Sequence, residues 1–256
     1  FLIVSGTRTI NGNVSYSGTS TSGFVQVPNG TSLTISSGTV TNTSTGYAVV
    51  TAGTGALTIS NTGNTAISLT STGRGVQIGG TGAVNIYGKI TISLGGYGIY
   101  VNAAATVLLS NSGGTVVDTQ SGGYGTPVYI NAAATVSVVG DINCDRGYSI
   151  TCNNGTTTWD GTIISGINAN SGKTIQALGT GTFKWVGSRT IAEGKFLSFA
   201  VTASGASLLL ADSSSALACT NNGHLFIQHS AGTITLSDTG GSASVVENHE
   251  DCGTIL

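Results

Sequence analysis

The feature that most constrains the fold is an internal repeat near the middle of the chain. The segment GYGIYVNAAATVLL at 96–109 returns one repeat later as GTPVYINAAATVSV at 125–138. Every second residue of both copies is aliphatic or alanine: Ile99, Val101, Ala103, Ala105, Val107 and Leu109, then Val128, Ile130, Ala132, Ala134, Val136 and Val138. A period of two predicts strands that bury one face. The residues between these positions, among them Tyr100 and Tyr129, are predicted to point outward.

The same alternating frame fits three earlier segments and, more weakly, one later segment. Its first aliphatic positions lie 22 to 29 residues apart, at Val25, Val49, Val76, Ile99, Val128 and Ile150. The middle pair of inward positions is small or polar in each of the five good copies: Asn29/Thr31, Gly53/Gly55, Gly80/Gly82, Ala103/Ala105 and Ala132/Ala134. We therefore predict two short strands joined by a tight corner that admits only small residues. Thr51 is a polar exception at one of the aliphatic positions.

Repeats of this length are typical of solenoids, since propeller blades are longer. Between the copies there is room for one more short strand, at Val40, 66–69, 90–94 and 116–117. The sequence thus predicts an all-β, single-domain right-handed parallel β-helix over residues 1–256, with roughly three strands per turn and about ten turns. Regular repeats are expected over 22–140 and irregular, cysteine-containing turns over 141–256.

The composition limits the possible partners. Only 7% of the residues are charged, the net charge is −2, and the eight Lys and Arg residues are scattered singly. Nucleic-acid binding is not expected, because it needs a basic patch. No membrane span is expected either, since no apolar run approaches the length of about 20 residues that a bilayer requires. The chain begins Phe1-Leu2-Ile3-Val4 without Met, which is typical of a mature secreted protein. We predict an extracellular or cell-surface location.

Four cysteines fit an oxidising compartment. The simplest pairing joins Cys144 to Cys152 and Cys219 to Cys252, although four cysteines allow three pairings and bridges between subunits are also possible. The alternative is that all four are reduced thiols that serve as small core residues. N-glycosylation sequons occur at Asn13, Asn29, Asn42 and Asn154, but a chain this rich in Asn, Ser and Thr produces such sequons by chance. No cofactor is predicted.

Two kinds of activity are alternatives to a structural role. Asp141, Asp145 and Asp160 with Arg146 are the only cluster that suits a calcium-dependent polysaccharide lyase. Solvated acids in a loop are the simpler interpretation, so the chain is predicted not to be an enzyme. Ice binding needs outward Thr in a regular register on one face. The outward positions here vary among Thr, Ser, Asn, Tyr and Gln.

The ends of the predicted coil suggest how it is used. No polar or helical cap is evident, and the terminal residues are apolar: Phe1, Leu2, Ile3 and Val4 at one end and Ile255 and Leu256 at the other. Uncovered strand edges at such tips would allow copies to stack end to end or side by side into a homopolymer. If the chain is a fragment of a longer adhesin, the tips carry no information.

The chain resembles right-handed parallel β-helix repeat proteins of microbial cell surfaces, on the strength of its Gly, Ser, Thr and Asn content and its G-Y-G-I-Y-V-N-A-A-A-T-V repeat. The resemblance implies a secreted structural protein that self-assembles into a filament, sheath or surface layer. The alternative that it implies is an adhesin or autotransporter-type passenger fragment that binds a surface or a cell-surface glycan. No catalytic residue is implied, and fold alone does not fix function.

Overall fold

The structure is a computed structural model of the chain. It describes residues 1–119, 125–144, 147–160, 163–165, 172–185, 189–191, 196–210, 217–219 and 224–236. Every regular element in these ranges is a β-strand, and they contain no helix long and apolar enough to cross a membrane.

The strands are numbered in chain order. Their bounds are β1 (Leu2–Ile3), β2 (Thr7–Asn11), β3 (Val14–Tyr16), β4 (Val25–Val27), β5 (Ser32–Ser36), β6 (Val40–Asn42), β7 (Tyr47–Gly53), β8 (Ala56–Leu69), β9 (Arg74–Gly80), β10 (Val84–Ile92), β11 (Tyr97–Val101), β12 (Thr106–Thr119), β13 (Thr126–Ile130), β14 (Thr135–Cys144), β15 (Gly147–Cys152), β16 (Thr156–Asp160), β17 (Ile163–Ser165), β18 (Gly172–Ala177), β19 (Thr182–Trp185), β20 (Arg189–Ile191), β21 (Phe196–Val201), β22 (Ser207–Leu210), β23 (Leu217–Cys219), β24 (His224–His229) and β25 (Thr233–Leu236).

The strands form two long parallel sheets. The first contains ten strands in the order β1-β4-β7-β9-β11-β13-β15-β18-β21-β24. The second follows β2-β5-β8-β10-β12-β14-β16-β19-β22-β25, with β3, β6 and β17 beside this path, and β20 pairs with β23. The chain alternates between the two long sheets, so successive strands of one sheet are joined through the other. This topology is a parallel β-solenoid, and the predicted fold class is confirmed.

The register of the ten-stranded sheet matches the sequence frame. Val25 is the Cα partner of Val49, Val49 of Val76, Val76 of Ile99, Ile99 of Val128 and Val128 of Ile150. All of these residues are at most 1% exposed. The repeat therefore predicted the axial stacking as well as the strands, because each copy must return its aliphatic residues to the same column of the core.

The third strand of each turn is present, but it is often continuous with the second. In β8, β10, β12 and β14 the second and third segments form one long strand whose pairing register shifts in the middle. Gly88 and Gly140 lie at such shifts in β10 and β14, with φ angles of 130° and 133° that favour glycine. A bend within a strand therefore replaces one of the predicted corners.

The corners between the two long sheets are as tight as predicted. At Gly55 an added Cβ would overlap the carbonyl oxygen of Val27 in the neighbouring coil, and at Gly82 it would overlap that of Gly55. In the alanine copies the turn closes on itself, since the N–H of Ala105 donates to the carbonyl of Ala103 at 2.8 Å. Backbone from adjacent coils comes so close here that larger residues are excluded.

An asparagine ladder lies just after the strands β11, β13 and β15. Nδ2 of Asn131 donates to Oδ1 of Asn102 at 3.1 Å, and Nδ2 of Asn153 donates to Oδ1 of Asn131 at 3.1 Å. Each amide thus bonds to its equivalent one coil away. The ladder extends the backbone pairing of the sheet into the corner.

The core changes from aliphatic to aromatic along the axis. Trp159, Phe183, Trp185 and Phe199 are at most 3% exposed, and the rings of Trp159 and Trp185 stack at a centroid distance of 5.3 Å. Nε1 of Trp159 donates to the carbonyl of Gly140 at 2.9 Å. The ring of Trp159 is therefore part of the core.

Candidate binding site on the ten-stranded sheet

Aromatic side chains collect on the outer surface of the ten-stranded sheet, across strands β7, β9, β11 and β13. Tyr47, Arg74 and Tyr97 are Cα partners in one column. Three residues further along the strands, Tyr100 and Tyr129 are partners in a second column. All five are half-buried, with their side chains on the side away from the core. We call these five residues the tyrosine–arginine patch.

Arg74 lies at the centre of the patch. Its guanidinium carbon is 3.7 Å from the ring centroid of Tyr100, 4.7 Å from that of Tyr47 and 5.6 Å from that of Tyr97. Distances below about 6 Å allow cation–π attraction. Nη1 donates to the Tyr47 hydroxyl at 2.6 Å and to Oε1 of Gln77 at 2.8 Å. The guanidinium is therefore held in one orientation by contacts from its own coil and from the coils on both sides.

The rings of Tyr100 and Tyr129 continue the stack beyond Arg74. They are parallel within 1° at a centroid distance of 5.4 Å, and Tyr97 packs against both at 5.3 and 5.0 Å. The Cα partner of Tyr129 in the next coil is the small residue Thr151. Among the described residues, Tyr129 is the last ring of this stacked row.

The patch also changes the pKa of one of its tyrosines. The pKa of the Tyr129 phenol is raised from its ordinary value of 10.0, mainly by burial and then by the neighbouring Tyr97 and Tyr100. Burial disfavours the phenolate, and a negative charge on either neighbouring phenol would disfavour it further. Tyr129 is therefore a neutral hydrogen-bonding group at physiological pH.

The alternating frame predicted Tyr100 and Tyr129 on the outer face but did not predict the patch. Tyr47, Arg74 and Tyr97 lie two positions before inward residues of three successive copies, so the frame predicts them on the inner face. In the structure each is followed by two consecutive buried residues, which breaks the alternation and leaves these three side chains on the outer face.

The predicted disulfide between Cys144 and Cys152 is wrong. Cys152 is a free thiol that is fully buried, and its Sγ lies 3.5 Å from the carbonyl oxygen of Asn154. Cys144 ends β14 in one sheet and Cys152 ends β15 in the other. The extended strand between them spans roughly 16 Å, whereas a disulfide needs Cα atoms within about 7 Å.

Cys152 instead fits the alternative of a thiol used as a small core residue. Burial raises the pKa of its thiol, and the neighbouring Thr157 and Thr182 act in the opposite direction. The strand β23 ends at Cys219, whose side chain lies outside the described residues, as does all of Cys252. Their pairing stays a prediction.

One of the four sequons lies at a buried asparagine. Asn42 is fully buried, and its Nδ2 donates to the carbonyl oxygens of Gly46 and Arg74 at 2.8 and 2.7 Å. A glycan at this nitrogen would need both bonds broken and the site opened. The other three sequons stay predictions: Asn13 and Asn29 are exposed and Asn154 is half-buried.

The predicted assembly tip is only partly exposed. Phe1, Leu2 and Ile3 are 69%, 45% and 58% exposed, whereas Val4 is 3% exposed and belongs to the core. Val4 is buried because its N–H donates to the carbonyl of Gln26 at 2.9 Å, which continues the sheet beyond β1. Ile255 and Leu256 lie outside the described residues.

The acids proposed for calcium binding are not all in loops. Asp141 lies within β14 and Asp160 ends β16, while Asp145 and Arg146 lie outside the described residues. The side chains described by the structure include no group of three His, Cys, Asp or Glu residues arranged to hold a metal ion. The absence of enzymatic activity stays a prediction.

Comparisons with known proteins add little to this geometry. No protein-family model matches the chain, and no curated protein matches its sequence. Among solved structures, the crystal structure of a TibC-catalyzed hyper-glycosylated TibA55-350 fragment aligns over 90% of this chain and 98% of that chain, with 16% identity and a TM-score of 0.23. So low a score carries no argument. The surface-protein class implied by the sequence resemblance stays a prediction.

Proposed function

We propose that this chain is an extracellular β-solenoid of the adhesin type, which binds a glycan through the tyrosine–arginine patch. The observation that carries the proposal is the concentration of four tyrosines and one arginine on a single outer sheet surface. Aromatic and arginine side chains are the ones most enriched at recognition surfaces, where each supplies contact area together with a polar group. The rest of the chain is poor in charge, so the patch is chemically distinct.

The geometry of the patch suits an elongated ligand better than a compact one. The side chains lie along the solenoid axis on four adjacent strands, and neighbouring strands are separated by about 4.8 Å. Their positions are fixed by stacking and by the parallel register, so binding would cost little side-chain entropy. An oligosaccharide lying across the strands would meet the face of Tyr129, the edges of Tyr97 and Tyr100, and finally Arg74.

The proposal is tested by screening the purified chain on an array of glycans and repeating the screen with Tyr129→Ala. We expect the wild-type chain to retain a subset of glycans and the variant to bind them up to about tenfold more weakly, because one stacking surface is lost. Tyr87→Ala is the matched control, since Tyr87 is half-buried on the thirteen-stranded sheet. Equal losses in both variants, or no binding at all, would exclude the patch as a glycan site.

Self-assembly into a filament, sheath or surface layer is the second candidate function. It is implied by the sequence resemblance to β-helix repeat proteins of microbial cell surfaces. Negative-stain electron microscopy of the purified chain separates the two candidates, because a polymer gives fibres or sheets and an adhesin module gives separate rods.

A further inference from the structure

The guanidinium of Arg74 has donors that the patch itself does not use. An arginine carries five N–H groups, and the two on Nη1 are directed at Tyr47 and Gln77. Within the described residues, Nε and Nη2 donate no hydrogen bond. These two nitrogens lie on the same edge of the planar group and present two parallel N–H bonds.

The charge of Arg74 is also unbalanced. In the described part of the chain, the only ion pair joins Lys89 to Asp118 on the other long sheet, and no carboxylate lies within 4 Å of Arg74. The neighbours of the guanidinium are phenol rings, one hydroxyl and one amide. They hold the cation in place without neutralising it, so a half-buried positive charge remains at the centre of a recognition surface.

We infer that the glycan bound by the patch is acidic and that a sugar carboxylate is held by Nε and Nη2 of Arg74. The inference rests on the proposed function and specifies its ligand class. A planar carboxylate matches the parallel pair of N–H groups and can accept both bonds, which a neutral hydroxyl cannot. Stacking fixes the plane of the guanidinium before the ligand arrives, and this reduces the entropy lost on binding.

The geometry also orders the ligand along the axis. Tyr129 lies two strands beyond Arg74, which corresponds to about 9.6 Å. A neutral sugar would stack on the ring of Tyr129 while the acidic sugar lies at Arg74. The ligand class is therefore an oligosaccharide with alternating or interspersed uronic or sialic acid residues, rather than an isolated acidic monosaccharide.

The first experiment varies the ligand and uses the wild-type chain throughout, so that no effect of a mutation on folding can enter. Binding of the wild-type chain is measured by calorimetry to hyaluronan, to hyaluronan with its carboxylates reduced to alcohols, to sulfated dextran and to plain dextran. We expect hyaluronan to bind roughly 10- to 100-fold more tightly than its reduced form, as hydrogen bonds to a charged group imply. Added salt should weaken the binding to hyaluronan and leave any residual binding to the reduced form unchanged.

Variants of the protein then test whether Arg74 is the residue that binds the carboxylate. Arg74→Gln should remove the preference for hyaluronan over its reduced form. Arg74→Lys should restore only part of it, because an ammonium keeps the charge but loses the two parallel donors. Arg8→Gln is the matched control: Arg8 is exposed on β2 in the thirteen-stranded sheet, so its loss changes the net charge equally.

The outcomes separate the two proposals. Equal affinity for hyaluronan and its reduced form overturns the inference and leaves the glycan-binding function standing. Tighter binding to sulfated dextran than to hyaluronan also overturns it, since a tetrahedral sulfate is then the preferred group. Binding to none of the four polymers, together with an empty glycan array, overturns both. An unchanged preference in Arg74→Gln would place the acidic subsite elsewhere.

Discussion

At the scale of single residues, the solenoid core is selective about polarity, and Thr51 is its clearest exception. Thr51 occupies the inward column between Val27 and Ile78, is fully buried, and its Oγ1 has no hydrogen-bond partner in the described structure. Burying an unpaired hydroxyl costs about 1–3 kcal/mol in proteins. The sequence had already marked this position as the one polar residue in the aliphatic frame.

Replacing Thr51 by Val removes the hydroxyl and keeps the shape of the side chain. We expect Thr51→Val to raise the free energy of unfolding by about 1–3 kcal/mol, because the unpaired hydroxyl no longer has to be desolvated. Urea denaturation measures the change, with an unaltered m-value. Thr58→Val is the control, as Thr58 is half-buried and outward in β8; a Thr51→Val chain no more stable than this control would contradict the explanation.

At the scale of elements, the middle residue of the asparagine ladder is expected to contribute most to stability. Asn131 donates to Asn102 and accepts from Asn153, whereas Asn102 makes only one ladder bond to its neighbour in the next coil. Each such bond contributes about 0.5–1.5 kcal/mol net. Removing the middle side chain should therefore destabilise the fold more than removing the side chain at the end of the ladder.

We expect Asn131→Ala to lower the free energy of unfolding by about 1–3 kcal/mol and Asn102→Ala by about half as much. The measurement is a double-mutant cycle by chemical denaturation. The double variant should cost less than the sum of the two single variants, since the bond between the two amides can be lost only once. Strict additivity would show that the two amides do not interact.

The sequence predicted those features of the strands that follow from the pattern of neighbouring residues, and it failed where the path of the chain in space decides. The columns from Val25 to Ile150 were predictable because alternation fixes the buried face, and burial in turn fixes the stacking. The pairing of Cys144 with Cys152 was wrong because a separation of eight residues looks short in sequence, while an extended strand carries the two cysteines apart. Asp160 was expected in a solvated loop because it is charged, although it ends the short alternating segment TTTWD that forms β16.

The candidate site was harder to predict than the fold for a related reason. Its members lie on different coils, and the coils differ in length by several residues. Arg74 and Tyr97 fall in one column of the aligned frame, but their outward direction depends on a break in the alternation that a period of two does not predict. Side-chain direction is a further requirement, because the stacking of Arg74 on Tyr100 crosses from one column to the other.

At the scale of the whole molecule, a solenoid has no single centre. Each strand of the long sheets pairs only with the strands of the coils before and after it, so stability is close to a sum over coils and the interfaces between them. A globular core distributes the damage of one mutation to the entire fold. A solenoid should confine that damage to the neighbourhood of the altered coil.

Ile86 offers the test of this difference. It is fully buried in β10, with Cα partners Ile59 in β8 and Leu109 in β12. We expect Ile86→Ala to cost about 2–5 kcal/mol and Ile86→Val about 0.5–1.5 kcal/mol. Hydrogen exchange read by mass spectrometry should show lost protection in β8, β10 and β12 and near-native protection in β2 and β22, because the intervening coils retain their own contacts. An equal loss of protection in all strands would mean that the coils unfold as one cooperative unit, and the additive description of this solenoid would have to be abandoned.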